Sequence, residues 1–208
     1  ARKEGRYNTR VDSEHRRVVL AERPRGRPGP STFRTEVVPT PSLSPGQIAV
    51  RVELLSIDPA IRGWMDDKPS YIPPIAVGAP IRSGVLGTIE QSQAPGFEVG
   101  ESVVALGSWS ERVVLTPRDI VRRIPPGENL PRSYSLGVLG GTGLTAWFGL
   151  GEIGRPRAGE TVLVSAAAGG VGSIVVQLAL IRGCRVAGIV GSDAKADWLR
   201  SLGVAAIQ

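Results

Sequence analysis

A glycine-rich turn lies between a short apolar run and a longer apolar segment. The run, residues 161–165, has the β-branched composition of a strand covered on both faces, and residues 173–182 have the length and composition of a helix. Between them the chain reads Ala167-Ala168-Gly169-Gly170-Val171-Gly172. A strand that ends in such a turn and opens directly into a helix points free backbone N–H groups and the positive end of the helix dipole at one place. We therefore predict that this turn binds a phosphate group.

The glycines of this turn have separate physical roles. Gly169 lets the backbone approach a pyrophosphate without a Cβ in the way, and Gly172 allows the helix to pack closely on its strand. A second strand, predicted at 185–190, follows at the spacing typical of dinucleotide-binding domains, although Ala167 replaces the first glycine of the usual pattern. The sequence favours the pyrophosphate of a nicotinamide dinucleotide. The alternative is a tight strand-to-helix turn that holds no ligand.

The residues after the second strand bear on which dinucleotide is bound. NAD-selective sites usually place a carboxylate there to bind the adenosine ribose, but no Asp or Glu lies between Val186 and Ser192. Ser192 can donate a hydrogen bond and Lys195 carries a positive charge, and together they suit the additional phosphate of NADP(H). We therefore expect NADP(H). The alternative is that Lys195 is a solvated helix residue and Asp193 only an N-cap.

The residue counts argue against a zinc enzyme. A structural zinc site needs about four Cys or His ligands and a catalytic one about three, whereas Cys184 and His15 are the only Cys and His of the chain. One cysteine also fits a reducing compartment. No stretch approaches the roughly 20 apolar residues of a membrane span, and the N-terminus lacks the apolar core of a signal peptide. These features predict a cytoplasmic protein without metal and without a membrane segment.

The net charge of +6 is concentrated near the N-terminus, because residues 1–30 carry nine basic and four acidic side chains. A basic arm can hold nucleic acid. This arm has Tyr7 as its only aromatic residue and shows no amphipathic helical period. We therefore favour a solvated tail at residues 1–16 and regard nucleic-acid binding as a minor alternative.

The pattern of apolar, Pro and Gly residues changes near Asn129. Before it, short β segments separated by Pro and Gly favour a compact β barrel or sandwich, with strands predicted at 18–20, 48–54, 85–89, 103–106 and 112–115. After it, we predict helices at 136–139, 144–153, 173–182 and 194–202, a turn at 140–143, and strands at 161–165, 185–190 and 204–207. This βαβαβ order predicts a parallel sheet. We expect a β domain at 17–128 and an α/β domain at 129–208.

Five segments carry a resemblance to a known family. They are 55–63 (LSIDPAIRG), 70–74 (SYIPP), 143–150 (GLTAWFGL), 166–173 (AAAGGVGS) and 191–195 (GSDAK). In this order they resemble the zinc-independent medium-chain dehydrogenase/reductases of the prostaglandin reductase, alkenal double-bond reductase and curcumin reductase type. The resemblance runs from about Arg17 to the C-terminus.

The resemblance implies a GroES-like β barrel followed by a Rossmann domain, with NADPH and the substrate in the cleft between them. It implies the transfer of a hydride to the β-carbon of an α,β-unsaturated ketone or aldehyde, and quinones are a further candidate substrate class. On this view the cofactor-binding residues are Thr145, Ala168, Gly169, Gly170, Val171, Gly172, Ser192 and Lys195. Thr145 would lie near the nicotinamide, and Ser192 and Lys195 near the 2′-phosphate.

The candidate substrate-binding residues are Asp58, Arg62, Met65 and Tyr71. Tyr71 could donate a hydrogen bond to an enone oxygen, or it could be an edge-packing residue. Arg62 could equally be a structural ion-pair partner of Asp58 or Asp66.

Two features differ from the family pattern. Ala60 stands where many relatives have a tyrosine, and residues 161–208 suffice for only the first βαβαβ half of a Rossmann sheet. We therefore expect the chain to be part of a longer protein or to be completed by another subunit, and we expect a homodimer. The competing function is a nonenzymatic NADPH-binding protein or subunit.

Overall fold

The computed structural model describes residues 13–207 and contains two compact units that meet in sequence between Asn129 and Leu130. This boundary lies one residue after the one predicted from the sequence pattern, between residues 128 and 129. Strand β1 (Glu14–Leu20) starts earlier than expected. Residues 14–16, which we predicted as part of a solvated tail, therefore belong to a strand. The rest of the predicted basic tail, residues 1–12, falls outside the described residues.

The first unit is built from antiparallel strands. Its strands after β1 are β2 (Phe33–Pro39), β3 (Ile48–Leu55), β4 (Arg82–Ser92), β5 (Ser102–Ser108), β6 (Arg112–Leu115) and β7 (Ile120–Ile124). β1 pairs with β2, and the other five form a sheet in the order β6-β3-β4-β5-β7. The five strands predicted in this unit are confirmed, and β2 and β7 are additional.

Charged residues explain why β2 was missed. Arg34 and Glu36 interrupt its apolar pattern, so the sequence does not show the alternation of a half-buried strand. In the structure Glu36 lies directly opposite Arg17 on β1, and its Oε2 is 2.9 Å from Arg17 Nη2. A cross-strand ion pair therefore takes the place of an apolar pair at this position.

Apolar residues of β3, β4 and β5 form the core of the five-stranded sheet. Val50, Val85, Ile89 and Val103 are fully buried there. Gly87 lies in the same region, and a Cβ at this position would overlap the Arg51 carbonyl oxygen on β3. The close approach of β3 and β4 thus depends on a glycine, since no other residue fits.

A second apolar cluster positions the short helix α1 (Pro59–Trp64). Ile61 of α1 and Met65 directly after it pack with Leu20, Ile75 and Ile81. The helix begins at Pro59, where the fixed backbone angle of proline suits a first helical position. This packing holds the segment that contains the four candidate substrate-binding residues.

The second unit has a three-stranded parallel sheet. Its strands are β8 (Thr161–Val164), β9 (Arg185–Ile189) and β10 (Ala205–Ile207), in the order β10-β9-β8. Helix α3 (Gly170–Ile181) connects β8 to β9, and α4 (Asp193–Ser201) connects β9 to β10. The predicted βαβαβ order and the parallel sheet are confirmed. The buried side of α3 contributes Val176 and Ala179 to the core of this unit.

The region before β8 differs from the prediction. Residues 132–136 form a 3₁₀ helix, α2 (Gly141–Phe148) begins inside the predicted turn, and a π-helical segment follows at Gly149–Gly154. The predicted helices at 136–139 and 144–153 and the turn at 140–143 are therefore wrong in their bounds. Small residues are the cause, because a Cβ at Gly143 would overlap the Val138 carbonyl and the Thr142 hydroxyl donates to Gly137 O at 2.9 Å. Both features let a helix start where glycines alone suggest a turn.

Two further observations concern the described part of the chain. Residues 13–207 contain no helix that is both long and apolar enough to cross a membrane. Within the same residues, no group of three or more His, Cys, Asp or Glu side chains is arranged to hold a metal ion.

His15 on β1 is the one buried histidine. The residue is 7% exposed, and its Nδ1 has no hydrogen-bond partner among the described residues. Burial lowers the pKa of His15, since the charged imidazolium would lose its hydration, and the positive charges of Arg112 and Arg17 lower it further against the opposing effect of Glu111. The folded protein therefore keeps this imidazole neutral to a lower pH than the unfolded chain does.

We predict a pH-dependent stability from His15. Above its ordinary pKa of about 6.5 both states are neutral and stability is fully present; as the pH falls below that value the unfolded chain binds a proton that the folded state resists. The free energy of unfolding should then fall by up to about 1.4 kcal/mol per pH unit. Urea unfolding between pH 7.5 and 5 measures the slope.

The matched variant is His15→Gln, which cannot titrate and should remove this slope. The carboxyl groups of Glu36, Asp66 and Glu111 have pKa values lowered by their arginine partners, so their contributions change only at more acidic pH. An equal slope in the variant would contradict the prediction.

Candidate functional site

The turn after β8 passes directly into α3. Its N-cap is Gly169, and the helix begins at Gly170 rather than at the predicted residue 173. The Gly169 N–H donates to Ala166 O at 2.8 Å, which closes the turn, and Ala166 has a left-handed φ of 48°. The three glycine-turn residues 170–172 are therefore the first helical residues themselves.

The N–H groups of residues 170–172 have no backbone acceptor within residues 13–207. The first intrahelical bond is donated by Ser173, to Gly169 O at 2.9 Å. Gly169 and Gly170 are exposed, so no core side chain fills the space in front of these donors. Three unpaired donors and the positive end of the helix dipole thus face an accessible surface, which is the arrangement that binds a phosphate.

Glycine is required here by space. A Cβ at Gly172 would overlap Ala166 O, and one at Gly169 would lie 3.0 Å from the same oxygen. A Cβ at Gly170 would lie 3.3 Å from Thr142 Cγ2 of α2. The predicted role of Gly172 in close helix–strand packing agrees with this geometry.

Ala167, which replaces the first glycine of the common pattern, is fully buried. Its methyl group lies against Gly188 of β9, where an added Cβ would come within 2.7 Å of Ala167 Cβ. The chain therefore has room for a methyl group at residue 167 because the facing position on the neighbouring strand has none.

The end of β9 carries the second predicted group of cofactor residues. Ser192 is the N-cap of α4, so the alternative interpretation is wrong in taking Asp193 as the N-cap. The Ser192 carbonyl accepts from the Ala196 N–H at 3.0 Å. The Ser192 hydroxyl makes no capping hydrogen bond to α4 and has no partner among residues 13–207. Lys195 is exposed in the first turn and forms no ion pair within residues 13–207.

The parallel pairing of β8 and β9 brings the glycine turn and the residues after β9 to the same edge of the sheet. β8 and β9 are adjacent and parallel, so the turn after β8 and residues 190–192 after β9 both lie at the carboxyl ends of their strands. Ligands of open α/β sheets bind at this edge. Thr145 lies one turn into α2, where its hydroxyl donates to Gly141 O at 2.7 Å.

The first unit places two of the predicted substrate residues in structural roles. Arg62 donates to Gly26 O at 2.8 Å, to Pro24 O at 3.2 Å and to Asp66 Oδ1 at 2.7 Å. Arg62 therefore forms the ion pair with Asp66 that the structural alternative predicts, and its two other contacts are to backbone carbonyls. The pKa of Asp66 is lowered by the Arg62 hydrogen bond. Met65 is 2% exposed in the apolar cluster beside α1, so its side chain packs in the core and is not presented at the surface.

Asp58 and Tyr71 have more accessible polar groups. Asp58 is the N-cap residue of α1, and its side chain accepts from the Ser56 hydroxyl at 2.7 Å instead of making a capping hydrogen bond to the helix. Tyr71 is 79% exposed, and its hydroxyl oxygen accepts a hydrogen bond from Trp64 Nε1 at 3.2 Å. Sequence reasoning missed Trp64, because nothing in the spacing of these residues shows that a loop returns to the end of α1.

Comparison with known proteins gives a match to one protein family and to several relatives. Residues 16–122 match a family described as the N-terminal domain of oxidoreductase. The NADPH-dependent curcumin reductase of Escherichia coli is 40% identical over 181 residues, which cover 87% of this chain and 52% of that protein. Prostaglandin reductase 1 of Oryctolagus cuniculus is 35% identical over 179 residues, covering 86% and 49% respectively. The chain spans about half the length of the curated relatives it matches.

The chain is also similar to a solved structure. The crystal structure of CurA in complex with NADPH from Vibrio vulnificus has a TM-score of 0.83 and 37% identity, and the alignment covers 93% of this chain and 57% of that one.

The glycine geometry generates a stability prediction. Gly172→Ala should lower the free energy of unfolding by about 1–3 kcal/mol, because the methyl group can only be accommodated by moving α3 away from Ala166. Gly149→Ala is the matched control, since a Cβ there meets nothing within 4 Å and its backbone angles are helical. Chemical denaturation of the three proteins measures the difference. Equal stability of the two variants would contradict the prediction.

Proposed function

The chain belongs to the medium-chain dehydrogenase/reductase family, among the prostaglandin, alkenal and curcumin reductases, and on this premise we propose that it binds NADPH and reduces the C=C bond of α,β-unsaturated ketones or aldehydes. The observation that carries the proposal is the start of α3, where Gly169 and Gly170 are exposed and the N–H groups of residues 170–172 have no backbone acceptor within residues 13–207. A quinone is a second substrate class of the same electron-poor kind.

The pyrophosphate of NADPH fits the turn after β8. Its oxygens would accept hydrogen bonds from the N–H groups of residues 170–172, and Ala168 and Gly169 would line its approach. The requirement for glycine at 169 and 172 supports this proposal, because added side chains would occupy or displace the turn. When bound, NADPH supplies the hydride of the reaction.

The ends of β9 and α4 suit the 2′-phosphate of NADPH. Lys195 would neutralise part of its charge, and the Ser192 hydroxyl, which has no partner among the described residues, would donate to one of its oxygens. The chain has no carboxylate between Val186 and Ser192 that would instead bind an unphosphorylated ribose. Thr145, one turn into α2, would lie toward the nicotinamide half of the cofactor.

The proposed contribution of the first unit is to hold the carbonyl end of the substrate. Hydride addition to the β-carbon moves negative charge onto the carbonyl oxygen, so a hydrogen-bond donor at that oxygen lowers the barrier. Tyr71 offers an exposed hydroxyl whose oxygen already accepts from Trp64. Asp58 would border the same region, whereas Arg62 and Met65 would support it through the contacts described above. This chemistry needs no zinc, and the chain has one Cys and one His.

We propose that the two units correspond to a GroES-like β barrel and the first half of a Rossmann sheet. Leu163 on the edge strand β8 is 61% exposed, and an apolar edge strand of a parallel sheet normally pairs or is covered. A second sheet half, from this polypeptide or from another subunit of a homodimer, would cover it.

The first functional prediction concerns Lys195. Lys195→Ala should weaken NADPH binding about tenfold or more, because it removes a charge-assisted hydrogen bond to the 2′-phosphate. NADH binding should change little. Titration of cofactor fluorescence measures both affinities. Arg200→Ala is the control, since Arg200 is an exposed cation of the same helix that pairs with Asp197 at 2.7 Å. Equal affinity of the wild type for NADH and NADPH would contradict NADP(H) selectivity.

The second functional prediction concerns Tyr71. Tyr71→Phe should lower kcat for a small enone by about tenfold to a hundredfold while leaving NADPH affinity unchanged, because it removes a donor to the developing oxyanion. The decrease in NADPH absorbance with the enone measures turnover. Tyr134→Phe, which removes an exposed phenol from the second unit, is the control. NADPH binding by a wild type that turns over no enone would instead favour a nonenzymatic binding protein.

A further inference from the structure

Trp64 and Tyr71 form an aromatic pair at the end of α1. Nε1 of Trp64 is 3.2 Å from the hydroxyl oxygen of Tyr71. The two rings meet edge to face, with centroids 6.3 Å apart and an interplanar angle of 75°. This is a favourable arrangement of two aromatic rings, so ring packing and the hydrogen bond hold the pair in the same geometry.

The direction of the hydrogen bond follows from the chemistry of the two groups. An indole N–H can only donate, whereas a phenol can donate and accept. Tyr71 must therefore be the acceptor, and its own proton points away from Trp64. Because the tyrosine is mostly exposed, this proton is available to an acceptor that comes from outside the protein.

Further contacts hold Trp64 and the loop after it in place. The Trp64 carbonyl accepts from the Ile75 N–H at 2.7 Å, which ties the far end of the loop to the helix end. The guanidinium of Arg82 on β4 lies 6.0 Å from the Trp64 ring centroid and donates to Pro73 O at 3.1 Å. The indole is thus supported from a strand and from the loop that carries Tyr71.

We propose that Trp64 is a positioning residue that directs the Tyr71 hydroxyl toward the carbonyl oxygen of the substrate. This inference rests on the proposed reduction of an unsaturated carbonyl compound. Accepting the indole N–H also strengthens Tyr71 as a donor, since hydrogen bonds in a chain polarise one another. Trp64 itself does not contact the reacting atoms in this arrangement.

The hydrogen bond can be tested without turnover. The full chain is labelled with ¹⁵N, and the indole signal of Trp64, one of four tryptophans, is assigned by its loss in Trp64→Phe. In Tyr71→Phe this indole proton should move upfield, because its acceptor is gone while the neighbouring ring remains. Tyr134→Phe should leave the signal in place. An unchanged Trp64 signal in Tyr71→Phe would overturn the proposal.

Kinetics then separate positioning from a general structural effect. Trp64→Phe should lower kcat for a small enone about fivefold, as expected for the loss of one neutral hydrogen bond, with an unchanged KM for NADPH. In a Tyr71→Phe background the same change should have no further effect on kcat. Trp64→His keeps a ring N–H and should recover part of the rate, and Trp198→Phe is the control for loss of an exposed indole.

Each outcome has one meaning. Equal losses of kcat from Trp64→Phe with and without the Tyr71 hydroxyl would show a structural role and overturn the proposal. A wild type without enone turnover would contradict the proposed function, and the indole signal would still decide whether Trp64 directs the Tyr71 hydroxyl.

Discussion

The missing side chain at Gly172 determines how closely α3 approaches the end of β8. A Cβ there would overlap Ala166 O, so any other residue would move the helix away from the strand. The close approach leaves the first N–H groups of α3 at the surface beside a turn closed by the Gly169–Ala166 hydrogen bond. It also accompanies a left-handed backbone at Ala166, a conformation that costs a residue with a Cβ about 1 kcal/mol or more. The surrounding packing of β8, α3 and β9 offsets that cost.

The same region shows how one departure from a common pattern is compensated elsewhere. Ala167 stands where dinucleotide-binding turns usually have glycine, and by itself it weakens the sequence pattern. The structure buries its methyl group against Gly188, which lies on the next strand of the chain, β9. Leu199 of α4 packs against the same glycine, since a Cβ at Gly188 would lie 2.6 Å from Leu199 Cδ1. The missing side chain at Gly188 on β9 therefore makes space both for Ala167 in the turn and for Leu199 of α4.

Local chemistry made the second unit largely predictable from sequence. The apolar strand, the glycines and the helix after them are contiguous, so their order and the parallel sheet could be read from the chain. The sequence predicts a start of α3 three residues later than the structure shows, because glycine is usually a helix breaker and only packing shows that residues 170–172 are helical. In the first unit Arg62 and Met65 look accessible in sequence, but their contacts with Pro24, Gly26 and the apolar cluster come from distant segments. Periodicity cannot show such tertiary contacts.

The short helix α1 makes three different kinds of contact through three side chains. Ile61 faces the apolar cluster, Arg62 holds the loop at residues 24–26, and Trp64 supports Tyr71. A helix of six residues has little stability of its own, so these contacts with its surroundings keep it formed. Because each contact uses a different side chain, α1 is held in one orientation, and the Trp64 indole that donates to Tyr71 is held with it. In the proposed reduction, a donor held in this way would need little reorganisation as negative charge develops on the substrate oxygen, which is what electrostatic stabilisation of an enolate requires.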